Sequence, residues 1–208
     1  MTDNISFKQR VRNIAVEEAK YFKIDYIDTQ YLILSKNFKN KEFYIITAEK
    51  DNYLHLLGVN TNLSCKDFFD KCYNGTLLEQ EFDFNKKGQS EKNVKGSVRR
   101  KIATIKYLHK LFYDEFLIEE DYQSNSLRCA IMTSDGNNIT LGFSYGYKSY
   151  PMSLLKGNQM KSEPVLPDLV LTKGKDNEKF NKIIVGNKNV INEFRDILNG
   201  VVDTSLFD

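Results

Sequence analysis

Apolar positions recur every three or four residues through the start of the chain: Phe7, Val11, Ile14, Ala15, Ala19 and Phe22. Arg10, Arg12, Glu17 and Glu18 fall on the other side, so Ile5–Phe22 is expected to be an amphipathic helix with one face on a core. Two short β-rich runs follow, Tyr31–Ser35 and Glu42–Thr47, separated by the polar turn NFKNK, and read as a hairpin. Tyr53–Val59 is a third apolar run, read as a strand that carries His55 and is broken by Gly58 and Asn60–Asn62. Ser64 with Asp67 three residues later forms a capping box for a helix whose apolar side is Phe68, Phe69, Cys72 and Tyr73, and Asn74-Gly75 stops it. A long helix is expected from about Ser97, with a seam of Val98, Ile102, Ile105, His109, Phe112 and Phe116.

Leu127–Thr133 and Asn138–Phe143 flank Asp135-Gly136, a strong hairpin signal. Ser144–Asn158 contains Pro151 and Gly157 and reads as a loop or an irregular edge. Val165–Thr172 and Lys182–Gly186 form a last pair of strands, and Asn187–Leu198 a last helix capped by Asn189. The tail GVVDTSLFD is expected to fray. Together these elements predict an α+β fold, a mostly antiparallel β-sheet with packed helices, including N-terminal and C-terminal ones. A single domain over 1–208 is expected, with an N-terminal helix in 1–25, a core over 31–188 and a C-terminal helix and tail over 189–208.

Composition narrows the class. Of 208 residues, 41% are hydrophobic and 28% charged, which fits a packed soluble core. The three cysteines, Cys65, Cys72 and Cys129, form no disulfide framework and point to reduced thiols in a cytoplasmic setting. Two histidines and no CxxC argue against a structural zinc site, and no cofactor is expected. No apolar run is long enough to span a membrane, so no membrane partner is expected.

The net charge is only +2, but it is unevenly spread. Lys86–Lys110 holds nine basic residues against one acid, Glu91. Lys95, Arg99, Lys106 and Lys110 share one side of the expected helix, with Arg100 beside them. That side is either a solvated face or a stripe that tracks phosphates. Five acids between Asp114 and Asp121 follow it and read as surface. In Ser144–Asn158, Tyr145, Tyr147 and Tyr150 alternate with Lys148 and Lys156, a pattern suited to stacking on bases and pairing with phosphates, or to covering a core.

The pattern NYLHLLGV, then LSCKDFFDKC, then TLLEQEFDF resembles a phage-associated nuclease family. It is the fourth of the phage Barnase–EndoU–Colicin–RelE-like group, found in mobile elements of Gram-positive bacteria. The resemblance spans about Tyr31 to Lys188. The family is expected to favour Thr after the His-Leu pair, where this chain has Leu57. A second, shorter match is YPMSLLKGN, on which Ser153 and Lys156 are carried over as site residues. The resemblance implies a barnase/RelE-like nuclease architecture and a metal-independent endoribonuclease, acting as a toxin, an anti-phage or a phage-borne effector.

If the segment around His55 meets Tyr145–Lys156 across a sheet, His55 serves as the general base that takes the 2′-hydroxyl proton, or as the general acid. Lys66, Lys148 or Lys156 neutralises charge developing on the phosphate. Tyr145 or Ser153 donates a hydrogen bond or stacks on a base. The catalytic candidates are thus His55, Lys66, Tyr145, Ser153 and Lys156, and the RNA-binding candidates Lys95, Arg99, Arg100, Lys106 and Lys148. RNA is the expected partner. Two other readings stay open: an inactive nuclease fold that binds a host protein as an inhibitor, and a non-catalytic RNA-binding module. A protein inhibitor of the enzyme itself would be a further partner. An exposed His55 in basic surroundings favours the enzyme, and a His55 buried among leucines the inhibitor.

Overall fold

The computed structural model describes residues 5–109, 111–124 and 127–207. It is an α+β fold. Helix α1 (Phe7–Phe22) starts at Ser6, whose hydroxyl accepts from Gln9 N–H at 2.9 Å, and buries Val11, Ala15, Ala19 and Phe22, the face set by the sequence period. A π-helical turn over Lys23–Ile27 leads into strand β1 (Thr29–Leu34), which pairs with β2 (Tyr44–Ile46) as the expected hairpin. Next come α2 (Lys50–Leu57), β3 (Asn60–Thr61), α3 (Cys65–Tyr73), β4 (Phe82–Asp83) and α4 (Glu91–Thr104). Then follow β5 (Leu117–Ser124), β6 (Leu127–Ser134), β7 (Ile139–Phe143), β8 (Lys148–Ser149), β9 (Pro151–Lys156), β10 (Leu169–Gly174), β11 (Lys182–Val185), α5 (Lys188–Glu193) and α6 (Arg195–Leu198).

One sheet has the order β11-β10-β1-β2-β8, antiparallel except between β2 and β8. The other has the order β5-β6-β7-β9, antiparallel throughout, and β3 and β4 form a separate ribbon. In the first sheet alternate residues serve two cores. Tyr31, Ile33, Tyr44, Ile46 and Val170 face the main core with α1 to α4. Leu32, Leu34, Ile45, Leu169 and Leu171 face Ile191, Phe194, Leu198 and Val202 near the C-terminus. Strand β1 is buried on both faces, which is why YLIL is apolar without alternation.

Several expectations are corrected. Tyr53–Val59 is not a strand; the segment is helix α2, described below. The long helix starts earlier and stops earlier than its seam implied. Ser90 caps α4, and the helix gives way to a 3-10 turn at Ile105–Leu108. The Thr104 hydroxyl donates back to the carbonyls of Arg100 and Lys101 at 3.1 Å, a contact that bends a helix end.

The acidic stretch is surface at Asp114, Glu115 and Asp121, which are exposed, but it runs into strand β5, where Glu119 is buried and Glu120 partly so. Its Glu119 carboxylate accepts from Lys161 N–H, Ser162 N–H and the Ser162 hydroxyl, and Glu120 accepts from Lys39 N–H, Asn40 N–H and the Tyr44 hydroxyl. Two acids thus tie down two loops. The expected C-terminal helix is split into α5 and α6, and Asn187 rather than Asn189 caps it, accepting from Asn189 N–H at 2.9 Å. The tail is not frayed through its described length: Val202 is buried and Asp203 N–H donates to Phe180 O at 2.8 Å.

The β6–β7 turn forms where Asp135-Gly136 placed it. Asp135 accepts from the N–H groups of Asn137, Asn138 and Ile139 at 3.0, 2.7 and 3.1 Å, and from the Asn138 amide at 2.8 Å. Burial works against its charged form, but these donors outweigh it and hold the carboxyl below its usual value. Asp135→Ala is therefore expected to cost on the order of 1–2 kcal/mol at neutral pH. The charged form is the one the fold favours, so its contribution is complete above the unfolded pKa, about 3.9. It fades as pH falls through the lower folded value. Urea unfolding of both proteins at pH 7 and pH 3 checks this, and a gap that widens in acid would contradict it.

Candidate active site

Helix α2 owes its form to groups at its two ends. Glu49 N–H donates to Asn52 Oδ1 at 2.8 Å, closing the first turn. Gly58 ends the helix in the left-handed region, φ 77°, its N–H donating to Leu54 O at 2.9 Å. Tyr53, Leu56 and Leu57 are buried, and the Tyr53 hydroxyl donates to Ala15 O at 2.7 Å. That leaves His55 on the solvent side, exposed.

At this end of α2 the chain brings in Lys101 from α4. Its Nζ donates to His55 O at 2.7 Å, and its stem lies along Gly58, where a Cβ would stand 3.0 Å from Cδ. The close approach and the positive φ both call for glycine at 58. Burial, and then the neighbouring charge of Lys86, push the Lys101 ammonium down to about 8. Lys86, on the loop before α4, is itself lowered by burial. Among the described residues, neither lysine has a carboxylate within ion-pair distance.

The other catalytic candidates are placed unequally. Lys50, at the start of α2, pairs with Asp70 of α3 at 2.7 Å, while a short connection joins Leu57 to Cys65. The two helices therefore run antiparallel, and exposed Lys66 lies toward the His55 end. Strand β9 packs against both α2 and α4. Along it Leu154 is buried in the main core, and Lys156, two residues on, shares that face. Ser153 pairs with Gly142 and faces the opposite side, where Cys129 and Met132 pack. Tyr145 lies in the β7–β8 loop with its hydroxyl on Asp121, and Lys148 belongs to the other sheet beside Ile45.

Most of the expected RNA-binding residues on α4 and the 3-10 turn after it are engaged locally. Lys95 pairs with Glu91 at 2.6 Å and lies over Phe84, Arg99 lies over Phe7, and Lys106 over Tyr107. Arg99, Arg100 and Lys106 remain exposed. Lys110 lies outside the described residues. The second histidine, His109, is satisfied within the protein: its Nδ1 donates to buried Asp25 at 2.6 Å and its ring packs on Tyr21.

Lys86 and Lys101 were not singled out from the sequence. One signal was present. On the helical wheel Lys101 stands on the opposite flank of the Val94–Val98–Ile102 seam from Lys95, Arg99 and Lys106. That flank is the one α2 and β9 can reach. Among the described residues, no three His, Cys, Asp or Glu side chains converge to hold a metal ion. None of the helices described is long and apolar enough to cross a membrane.

Neither a curated protein nor a solved structure matches the chain. A family model does, over residues 14–193, an extent that runs from the second half of α1 through both sheets and includes the His55 and Lys101 segments. By that match the chain belongs to the phage-Barnase-EndoU-ColicinE5/D-RelE like nuclease4 family.

Proposed function

We propose that this family member is a metal-independent endoribonuclease whose reacting centre is at His55. The observation that carries the reading is the exposed imidazole at the end of α2, on a residue whose own carbonyl is gripped by the Lys101 ammonium. His55 takes the proton from a 2′-hydroxyl. The 2′-oxygen attacks the adjacent phosphorus in line, the bond from phosphorus to the 5′-oxygen breaks, and that oxygen takes a proton from water, to which His55 then releases its own. The products are a 2′,3′-cyclic phosphate and a 5′-hydroxyl. Lys66 and Lys156, on the elements that flank α2, supply positive charge to the phosphate. Ser153 and Tyr145 act away from the reacting atoms.

Leu57 does not favour an inactive inhibitor. It is fully buried, two residues and about 200° round the helix from His55. A threonine hydroxyl at that position would point into the core, away from the imidazole. The reading predicts cutting of single-stranded RNA in excess EDTA, with 2′-O-methyl RNA of the same sequence left intact. Gel analysis of end-labelled strands checks it. Equal cutting of both strands would exclude attack by the 2′-oxygen. Binding without cutting, steeply weakened by salt, would favour an RNA-binding module.

A further inference from the structure

We infer that Lys101 is the positioning residue of the His55 imidazole, holding it from α4 through a bond to the main chain of residue 55. The inference rests on the reading of His55 as the reacting group and adds what fixes that group in space.

Three observations carry it. First, the end of α2 closes on a single main-chain bond, from Gly58 N–H to Leu54 O, and among the described residues no main-chain N–H reaches His55 O. A helix end leaves its last carbonyls without partners, and the Lys101 ammonium supplies the missing donor at 2.7 Å. Its charge suits the negative end of a helix. Second, the lysine stem lies across Gly58, where a Cβ would stand 3.0 Å from Cδ and 3.3 Å from Cε. Glycine leaves the backbone freest to move, and the stem closes off space that the turn would otherwise use. Third, the imidazole has no hold of its own. It is exposed and makes no hydrogen bond among the described residues, so the main chain that bears it sets its place.

Other contacts hold other parts of α2. The Glu49–Asn52 and Lys50–Asp70 bonds fix its start, and Tyr53, Leu56 and Leu57 seat its buried side. With only eight residues the helix has little rigidity of its own. None of those contacts acts on the carbonyl of residue 55 or on the turn at Gly58. A displacement of about 1 Å in a reacting group is enough to cost about 100-fold in rate.

The chain has two histidines, and the second serves as an internal reference. His109 is held by Asp25 at 2.6 Å and by the ring of Tyr21. The experiment uses the full chain with ring-labelled histidine, as wild type, Lys101→Met, Lys101→Gln and Lys101→Arg. Nuclear magnetic resonance follows the two imidazoles. Steady-state cleavage of a defined single-stranded RNA in EDTA gives kcat and KM. Lys101→Met is expected to shift and broaden the His55 ring signals and leave those of His109 unchanged. It should lower kcat about 10- to 100-fold, with KM within about two-fold of wild type. Lys101→Gln keeps most of the stem but ends one atom short of His55 O, and carries the same expectation should Lys101→Met fail to fold. Lys101→Arg restores a charged donor and should recover most of kcat.

His55 and His109 signals that move together would mean that Lys101 only stabilises the fold, and would overturn the inference. A raised KM with kcat unchanged would also overturn it, because Lys101 would then hold RNA rather than the imidazole. Cleavage by wild type, with the His55 signals and kcat unchanged in folded Lys101→Met and Lys101→Gln, would overturn the positioning role and leave the nuclease standing. Wild type that leaves RNA uncut, with the His55 signals alone displaced in both variants, would support the hold on the imidazole and overturn the cleavage reading.

Discussion

His55→Ala is expected to reduce RNA cleavage by about 10²–10⁴-fold, the usual contribution of a positioned acid or base. The melting temperature should stay near that of wild type. Both parts follow from geometry. The imidazole is exposed, makes no hydrogen bond among the described residues and fills no core space, so truncation leaves the packing of α2 intact. The Lys101 contact is to the backbone carbonyl of residue 55 and survives the change. Single-turnover cleavage alongside thermal melting checks both parts. Undiminished cleavage by a well-folded variant would remove His55 from the chemistry.

The largest effect on stability is expected from Phe112→Ala. Phe112 is buried where the two sheets meet. Its ring lies 4.6 Å from that of Tyr31 on β1, 6.2 Å from Phe143 on β7, 5.2 Å from Phe116 and 6.0 Å from Tyr26. Truncation loses the transfer energy of the ring and opens a cavity that two sheets hold apart, at a cost of about 3–5 kcal/mol. A domain of this size has about 5–15 kcal/mol in all. The variant should therefore unfold at clearly lower denaturant, and a midpoint close to that of wild type would mean that the sheets can close over the gap.

How far the sequence anticipated this molecule varies with the element. Helix α1 was legible because its apolar period runs for sixteen residues with charges opposite. Strand β1 was legible because YLIL is apolar on both faces and flanked by turn residues. The segment around His55 was misread for a definite reason. YLHLLGV is seven residues of nearly unbroken apolarity, too short to separate a period of two from one of 3.6. The decision lay at its edges, in the Glu49–Asn52 bond and the left-handed Gly58.

The run of acids around β5 was legible in part. Asp114, Glu115 and Asp121 are exposed as expected, yet Glu119 and Glu120 are acceptors for backbone groups more than thirty residues away. For the site, the resemblance pointed to His55, and the basic run announced positive charge. Which lysines stand beside His55 depended on how α4 packs against α2 and β9. Position 101 was marked only by its side of the helical wheel.

The central claim is that a 2′-oxygen, helped by His55, is the attacking group. The measurement that tests it most directly is mass spectrometry of the product ends after wild-type protein cuts a defined RNA in EDTA. The account predicts a 2′,3′-cyclic phosphate on one fragment and a 5′-hydroxyl on the other. Fragments ending in 3′-hydroxyl and 5′-phosphate would contradict it, because they require attack by water rather than by the RNA itself.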